Sequence, residues 1–227
     1  DLKEGTIKLY LDVCKQATAG MNYEWPKFKR SEEEPVPIPN DIAVRWLEDP
    51  MPEGFNENYD TDCFTAVKLA INSCLRPIDA VNVKMDNIGN GELLIKHKKT
   101  RRVVRSTIHY GVQTWLIDRE EEYGDVFSPR WRTLDQNYRK RMVKDFIHRM
   151  LEHYGAADRV VVGMAAGEVS RKRLRDVITA KSLRSTGANL LLSMGVSAEN
   201  VMAIGGWSSY DIFRKHYLKP NIEVWKP

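Results

Sequence analysis

The chain has 227 residues, a formal net charge of +4, 42% hydrophobic residues and 29% charged residues. This composition excludes an intrinsically disordered chain, because such chains combine low hydrophobicity with high net charge. No apolar run is long enough to span a bilayer, and Asp1–Gly20 lacks the basic, apolar and small-residue regions of a signal peptide. We therefore expect a soluble, intracellular protein. The sequence begins with Asp1 rather than Met, as a fragment or a processed protein would.

The N-terminal part of the chain is predicted to be a helix followed by a linker. Apolar residues at helical spacing predict a helix over Leu2–Ala19. The stretch Lys27–Asn40 then combines charge with three prolines, a composition typical of an extended linker. We place a domain boundary there, so that residues 1–34 form the end of a helical arm with its linker and residues 35–227 form the main domain.

The main domain is predicted to be mainly α with one small antiparallel β-sheet, an α+β fold. A period of two predicts strands at Glu92–Lys96 and Arg102–Ile108, preceded by a turn at Asn90-Gly91 and joined by the basic segment His97–Arg101. The small-residue stretch Ala156–Gly167 fits neither period and receives no assignment. Apolar periodicity predicts helices at Asp41–Leu47, Thr61–Ser73, Ile78–Val83, Val112–Glu122, Leu134–Tyr154, Lys181–Met194 and Ala198–Ile204. The expected core includes Leu190, Leu191, Met194, Val201 and Ile204.

Cysteine and histidine spacing gives no pattern typical of a metal site. Cys14, Cys63 and Cys74 are odd in number and lack CxxC spacing, which argues against a disulfide framework and a zinc site. Cys63 and Cys74 lie in an apolar-periodic stretch and are expected to be buried structural thiols. His148 and His153 are five residues apart and therefore on different faces of one helix. The chain also lacks HExxH, Walker and GxSxG motifs, so we expect neither metal nor ATP nor any other cofactor.

Positive charge is concentrated in three short segments, although the net charge alone is only mildly basic. Such clusters can neutralise phosphates and release counterions, which is typical of nucleic-acid binding, while each one alone can equally be a solvated face. The three clusters are Lys96, Lys98, Lys99, Arg101, Arg102 and Arg105; then Arg171, Lys172, Arg173 and Arg175; and finally Arg214, Lys215 and Lys219.

Two cations stand at the start of one predicted helix. Lys181 and Arg184 are three residues apart, so they share a face at the N-terminus of an apolar helix. The positive end of a helix already attracts anions, and two cations placed there are favourable if a phosphate occupies the site. Without an anion the two like charges repel each other. The pair is therefore compatible with an anionic ligand, and a plain solvated helix start stays an open alternative for these two residues alone.

Four segments resemble, in order, the conserved boxes of the tyrosine recombinases, the integrase family. Leu75–Asp79 resembles the first box, with an arginine and an acidic residue three positions later, and Lys99–Val104 resembles the lysine element that ends in a hydrophobic strand. Lys181–Thr186 matches an HxLRxT pattern with lysine in place of histidine. Gly206–Ser209 matches a Gly-(His or Trp)-Ser-Ser stretch, and Tyr217 follows as the candidate nucleophile. The resemblance covers nearly the whole main domain.

The resemblance implies the tyrosine-recombinase catalytic-domain fold and a set of roles. Arg76 and Arg184 would clamp the scissile phosphate, and Tyr217 would attack phosphorus to form a 3′-phosphotyrosyl link without metal or ATP. Lys99 would protonate the leaving 5′-oxygen. Lys181 would assist with acid–base chemistry or phosphate binding, Trp207 would donate its indole N–H or pack the site, and Asp79 would orient Arg76. Three features depart from the usual family pattern: Lys181 stands in place of the usual histidine, Trp207 stands in place of the commoner histidine, and the interval from Trp207 to Tyr217 is ten residues.

The resemblance also implies double-stranded DNA as the partner, with no membrane, and a homotetramer on two duplexes during recombination; the isolated domain can be a monomer. The expected location is intracellular and DNA-associated, and the N-terminal helix resembles the end of a DNA-binding arm. The residues expected to contact DNA are Lys96, Lys98, Arg101, Arg102, Arg171 and Arg173.

Several alternatives remain open at the level of the sequence. Lys98, and more weakly Lys96, compete with Lys99 for the leaving-group role, because the register of a hairpin loop is not fixed by sequence. Tyr210 is a chemically possible nucleophile, but it follows Ser209 too closely. A type IB topoisomerase or a telomere resolvase would use the same residues, and a catalytically silent DNA-binding relative would keep only the fold.

Overall fold

The computed structural model describes residues 36–55, 59–165 and 168–217. The predicted helix Leu2–Ala19, most of the linker, Cys14 and Lys219 lie outside the described residues. Within them, helices alternate with two small antiparallel sheets. The helices are α1 (Asn40–Glu48), α2 (Tyr59–Asn72), α3 (Pro77–Ala80), α4 (Tyr110–Tyr123), α5 (Pro129–Thr133), α6 (Gln136–His153), α7 (Leu174–Val177), α8 (Ser182–Ser193), α9 (Ala198–Gly205) and α10 (Tyr210–Tyr217), with a 3₁₀ turn at Met85–Asn87. The strands are β1 (Ile88–Gly89), β2 (Glu92–Lys96), β3 (Val103–Thr107), β4 (Val160–Ala165) and β5 (Glu168–Arg173).

The first sheet has the strand order β1-β2-β3 and contains the predicted hairpin. Its β1–β2 turn uses Asn90 and Gly91, which both have positive φ angles of 52° and 73°, as a tight turn between twisted strands requires. In the β2–β3 pair Ile95 lies opposite Val104, and both are buried, whereas Lys96 lies opposite Val103 and both are exposed. The strict alternation fixes which side chains of this hairpin face the core.

The second sheet is a two-stranded hairpin, β4–β5, in the region that the sequence left unassigned. Val160 pairs with Arg173 and Val162 pairs with Arg171. The sequence analysis predicted a single sheet and missed this one, because Val160, Val161 and Val162 are consecutive and show no period of two. The Val161 side chain packs against the main core, while Val160 is 64% exposed.

Helix α2 runs through the centre of the domain. It contacts α1, α3, α4, α6 and α8, and it is buried along most of its length. Its approach to α8 depends on Gly187, where an added Cβ would stand 2.1 Å from the Ile71 carbonyl oxygen. Its buried Asp62 accepts hydrogen bonds from Arg119 (2.6 Å) and from the Ser128 hydroxyl (2.5 Å), which ties α2 to α4 and to the start of α5. Burial outweighs these bonds and raises the Asp62 pKa.

The fold class predicted from the sequence, mainly α with small antiparallel β-structure, is confirmed. Cys63 and Cys74 are buried as expected, and burial raises the pKa of the Cys74 thiol to about 12. One core prediction is wrong: Met194 is 67% exposed, because it follows the last residue of α8 and no longer shares the buried face of that helix. The sequence analysis also assigned no helix to Tyr210–Tyr217, which forms α10.

No helix among the described residues is long and apolar enough to cross a membrane. A search of the same residues finds no group of three or more histidine, cysteine or carboxylate side chains that could hold a metal ion.

Candidate functional site

Arg76 is presented by a sharp reversal of the chain between α2 and α3. Cys74 adopts a positive φ of 49°, and Pro77 at the first position of α3 holds the preceding residue extended. Arg76 therefore stands at the N-cap with its side chain 22% exposed. Its Nη1 atom is buried without a hydrogen-bond partner and lies 3.9 Å from Asp79 Oδ2. The guanidinium thus has one buried N–H group without a hydrogen-bond partner.

Arg184 lies on the first turn of α8 and is only 6% exposed. Its Nη1 donates to the Cys74 carbonyl oxygen at 2.7 Å, and its guanidinium carbon lies 3.8 Å from the centre of the Trp207 ring. Its Nη2 is buried without a hydrogen-bond partner. Burial lowers the Arg184 pKa, and the nearby positive charge of Arg76 lowers it further, while the phenol of Tyr217 acts in the opposite direction. Arg76 and Tyr217 therefore both lie close enough to Arg184 to affect its pKa.

Trp207 and Tyr217 pack on Arg184 in a small aromatic cluster. The Trp207 ring lies 4.7 Å from the ring of Tyr217 and 5.0 Å from that of Phe213, and Phe213 stacks on Tyr217 at 5.5 Å. Gly205 makes this packing possible, since a Cβ there would stand 1.9 Å from the Trp207 ring. The aromatic cluster, together with Cys74, Ala188 and Val201, is separate from the main core.

A histidine that the sequence analysis did not single out completes the site. His97 is fully buried, and its Nδ1 lies 2.6 Å from Asp79 Oδ2. The backbone N–H of Lys98 donates to the other Asp79 oxygen at 2.9 Å. Burial tends to raise the Asp79 pKa, but the hydrogen bonds from His97 and Lys98 and the charge of Arg76 lower it overall. Asp79 is therefore an ionised carboxylate held between the lysine turn and Arg76.

The signal that could have identified His97 is the alternation of β2. Leu93 and Ile95 point into the core, and continuing the period of two places residue 97 on the same buried face. Sequence reasoning instead counted His97 within a basic loop, where a polar side chain is expected to be solvated.

The two predicted catalytic lysines are more exposed than the arginines. Lys99 lies in the turn between β2 and β3, and Lys181 caps the N-terminus of α8. Among the described residues, no hydrogen bond or ion pair joins either side chain to Arg76, Arg184 or Tyr217. Lys98 differs from Lys99 in that its Nζ lies 3.5 Å from Gln136 Oε1, and Lys96 is on the exposed face of β2. In the structure the lysines are exposed at the border of the candidate site. The residues that lie together are Arg76, Asp79, Arg184, Trp207 and Tyr217.

The residues predicted to contact DNA are all exposed, on two hairpins. Lys96, Lys98, Arg101 and Arg102 surround the β2–β3 turn, where Arg101 has a positive φ of 59°. Arg171 and Arg173 lie on β5, opposite Val162 and Val160. Residues at alternate positions of a strand share a face, so these two arginines are on one side of the second hairpin. Arg173 and Arg175 both approach Asp158 at the base of the hairpin, at 3.5 Å and 3.0 Å.

Chemically, this arrangement can hold an anion beside a phenol. Two guanidinium groups each keep an N–H group without a hydrogen-bond partner, and buried donors of this kind are normally paired. Planar guanidinium groups match the oxygen atoms of a phosphate, and a positive, partly buried setting strengthens the interaction. A phenol next to them is a potential nucleophile for phosphorus.

Comparison with known proteins gives a family and a fold. The model of the phage integrase family matches residues 51–223. Among solved structures, the chain resembles a lambda integrase (residues 75–356) dimer bound to a COC′ core site, with 16% identity, a TM-score of 0.58, and coverage of 97% of this chain and 74% of that chain. It also resembles XerA recombinase, with 15% identity, a TM-score of 0.56 and coverage of 98% and 73%.

A third similar structure is the Tn1549 transposon integrase (residues 82–397) in complex with circular intermediate DNA. It has 10% identity, a TM-score of 0.57 and coverage of 96% of this chain and 73% of that chain. At these identities the structural matches establish the fold alone. No curated protein sequence matches the chain significantly.

Proposed function

We propose, from the premise that this chain belongs to the phage integrase family, that it is a site-specific DNA recombinase that uses Tyr217 as its nucleophile. One observation carries the proposal: Arg76 and Arg184 each retain a buried N–H group without a hydrogen-bond partner, and Arg184 interacts with the phenol of Tyr217. Unpaired buried donors are costly unless a ligand uses them. The scissile phosphate of DNA is the anion that fits this family and these donors.

The reaction is a transesterification in two steps. The Tyr217 oxygen attacks phosphorus, a 3′-phosphotyrosyl bond forms, and the bond from phosphorus to the 5′-oxygen breaks. Arg76 and Arg184 stabilise the charge that develops on the non-bridging oxygens. Lys99 gives its proton to the 5′-oxygen, and the proton of the Tyr217 phenol passes to Lys181 or to water; Lys181 otherwise assists by binding the phosphate. A 5′-hydroxyl from a second strand then attacks the phosphotyrosine and releases Tyr217, so the residues named here suffice without metal or ATP.

Trp207 is proposed to act through packing. Its ring covers the face of the Arg184 guanidinium at 3.8 Å and contacts Tyr217 at 4.7 Å. A cation held over an indole ring is stabilised, and its freedom to rotate is reduced. Trp207 therefore fixes the relative positions of a clamp arginine and the nucleophile, as the histidine or tryptophan of the resembling motif is expected to do.

Double-stranded DNA is the proposed partner, and a tetramer on two duplexes is the proposed recombining assembly. Two structures with the same fold are DNA complexes, one of lambda integrase with a core site and one of the Tn1549 integrase with circular intermediate DNA. A lambda integrase tetramer bound to a Holliday junction has the same fold, with a TM-score of 0.56 and 18% identity. The exposed arginines and lysines of the two hairpins support contact with phosphates.

The decisive experiment uses a suicide DNA substrate, in which a nick next to the cleavage site lets the released fragment diffuse away and traps the covalent product. We expect a protein–DNA adduct in the presence of a metal chelator, and we expect Tyr217→Phe to abolish it, because the phenyl ring keeps the packing but has no nucleophile. Tyr210→Phe is the matched control, since Tyr210 lies at the other end of α10 and is 48% exposed.

An adduct that persists in Tyr217→Phe and disappears in Tyr210→Phe would overturn the nucleophile assignment. No adduct from the unaltered chain on any cleavage substrate would leave a DNA-binding relative without catalysis. The products distinguish the related enzymes that share this chemistry: strand exchange indicates a recombinase, plasmid relaxation alone a type IB topoisomerase, and closed hairpin ends a telomere resolvase.

A further inference from the structure

His97 is a buried histidine that none of the proposed catalytic steps uses. It is fully buried at the end of β2, directly before the turn that bears Lys98 and Lys99. A histidine in such a position needs hydrogen-bond partners for both ring nitrogens or leaves one unsatisfied. Here Nδ1 is paired with Asp79, while Nε2 is buried without a partner. The ring is therefore placed by one specific bond rather than by solvent.

That bond involves the same oxygen that faces the clamp arginine. Asp79 Oδ2 is 2.6 Å from His97 Nδ1 and 3.9 Å from Arg76 Nη1. Because an ionised carboxylate can only accept hydrogen bonds, Nδ1 carries the ring proton and donates a hydrogen bond to Oδ2. The other oxygen, Oδ1, accepts the backbone N–H of Lys98. Asp79 is only 1% exposed, so solvent does not compete for these positions. The orientation of the carboxylate toward Arg76 thus depends on two donors from the end of β2.

The other side of the His97 ring meets the segment that leads to Trp207. A Cβ at Gly206 would lie 3.0 Å from His97 Cδ2 and 3.0 Å from Nε2. Gly206 also has a positive φ of 71°, which a side chain rarely adopts. The imidazole is therefore enclosed between Asp79 and the backbone of Gly206, which limits its rotation.

We propose that His97 is a positioning residue: by holding Asp79 it fixes the guanidinium of Arg76 where the scissile phosphate binds. This inference rests on the proposed function and adds to it a residue with no part in the proton transfers. His97 acts through Asp79 and does not touch the phosphate. Its contribution is to the rate of the chemical step, because misplacing a clamp group by a fraction of an ångström weakens transition-state stabilisation more than ground-state binding.

Two variants of His97 separate the hydrogen bond from the packing. His97→Leu fills the buried space but removes the donor, and we expect the single-turnover rate of adduct formation to fall roughly 10- to 100-fold. The affinity for uncleaved DNA should stay within about two-fold, because phosphate contacts elsewhere dominate binding. His97→Asn keeps an amide N–H near the position of Nδ1 and should recover most of the rate. Equal losses in both variants, or a loss confined to DNA affinity, would overturn the positioning role.

Modified substrates identify the group through which His97 acts. A methylphosphonate at the cleavage site replaces a charged non-bridging oxygen with a methyl group, which reduces the need for a clamp arginine. With this substrate we expect the rate of adduct formation by His97→Leu to come closer to that of the unaltered protein, and we expect the same for Arg76→Ala. A 5′-bridging sulfur replaces the oxygen that needs a proton. It should leave the difference in rate between His97→Leu and the unaltered protein unchanged.

Rescue of His97→Leu by the sulfur substrate and not by the methylphosphonate would make His97 the leaving-group acid and would overturn the proposal. The rate of adduct formation by the unaltered protein is measured in parallel, and so is the thermal unfolding midpoint of each variant. If the unaltered protein forms no adduct, the proposed function fails; if it forms one and His97→Leu matches it at full stability, only the positioning role fails.

Discussion

Arg184 remains charged in a buried position because its neighbours replace water in three different ways. The Cys74 carbonyl accepts one N–H, the Trp207 ring covers the face of the guanidinium, and Tyr217 lies at its edge. These contacts do not fully compensate for burial, since the pKa of Arg184 is lowered, and one N–H group stays unpaired. An arginine stays protonated at any physiological pH, so the consequence is a stronger attraction for an anion rather than loss of charge.

The individual site residues differ in how far the sequence could predict them. Arg76, Arg184 and Tyr217 belong to segments that resemble known boxes, and the structure brings the three together. His97 belongs to no such box. Its burial follows from the alternation of β2, and its proposed role follows from a contact with Asp79, which is 18 residues away in the sequence. Contacts of that kind depend on tertiary packing, which residue types and spacing do not specify.

At the β2–β3 turn, we predict that Lys99 rather than Lys98 protonates the leaving group. The backbone of Lys98 is bound to Asp79 and its Nζ lies near Gln136, whereas no hydrogen bond or ion pair holds the Lys99 side chain among the described residues. Lys99→Ala should slow cleavage of ordinary DNA by roughly 100- to 10,000-fold. A substrate with a 5′-bridging sulfur should restore the rate, because a thiolate leaves without a proton. Lys98→Ala is the matched control, and rescue of that variant instead would assign the role to Lys98.

Among the elements, α10 and the β4–β5 hairpin escaped prediction for different reasons. Helix α10 has only eight residues, and Phe213 is fully buried while Ile212 is 56% exposed, so the segment offers few buried apolar positions from which to recognise a helix. In β4, three consecutive valines show no period of two, so the sequence pattern did not indicate a strand with one buried face. Helices α1, α2, α8 and α9 were predicted close to their observed bounds, since each places regularly spaced apolar residues on a buried face.

The second hairpin is predicted to bind DNA through its outer face. Arg171 is exposed on β5 and shares a strand face with Arg173. If Arg171 contacts one phosphate, Arg171→Ala should make the negative slope of log K, the DNA association constant, against log salt concentration less steep by about 1. One counterion fewer is then released on binding. Fluorescence anisotropy at several salt concentrations measures this slope. Lys144→Ala, at an exposed position on α6 outside the basic clusters, should leave the slope unchanged; equal slopes for both variants would contradict a phosphate contact at Arg171.

For the whole molecule, the fold class was predicted from the helical and strand periodicities, and the four resembling segments in family order pointed to the same fold. The helices around α2 form one main core, and three of the four resembling segments contribute residues to it, namely Leu75, Val104 and Leu183. The domain boundary near residue 35 stays a prediction, because the arm that it separates lies outside the described residues. The composition could not reveal that Tyr217, the proposed nucleophile, belongs to a small aromatic cluster separate from the main core, because that separation depends on where α10 docks.

Global stability should depend on pH through Lys68. This lysine is 1% exposed, its Nζ donates to the carbonyl oxygens of Leu47 and Asp49, and burial lowers its pKa from 10.5 to about 8. Between these two values the unfolded chain binds more protons than the folded protein, so the free energy of unfolding rises with pH across this window and the penalty is fully present below about pH 8.

Comparison with Lys68→Met isolates this contribution from other titrating groups. The difference in free energy of unfolding between the unaltered protein and the variant should shift in favour of the unaltered protein by up to about 3 kcal/mol from pH 8 to pH 10.5. Urea denaturation at several pH values measures it, and Lys144→Met serves as the exposed control. A difference that is constant with pH would show that Lys68 has an ordinary pKa in the folded protein.

The unpaired N–H groups of Arg76 and Arg184 also bear on how the protein responds to its medium. Inorganic phosphate and sulfate have the same tetrahedral arrangement of oxygen atoms as the DNA phosphate that the site is proposed to hold. On the proposed function, such buffer ions compete with the DNA phosphate for the two arginines, in addition to screening the hairpins as any salt does. We therefore expect rates of strand cleavage to be lower in phosphate or sulfate than in chloride at equal ionic strength.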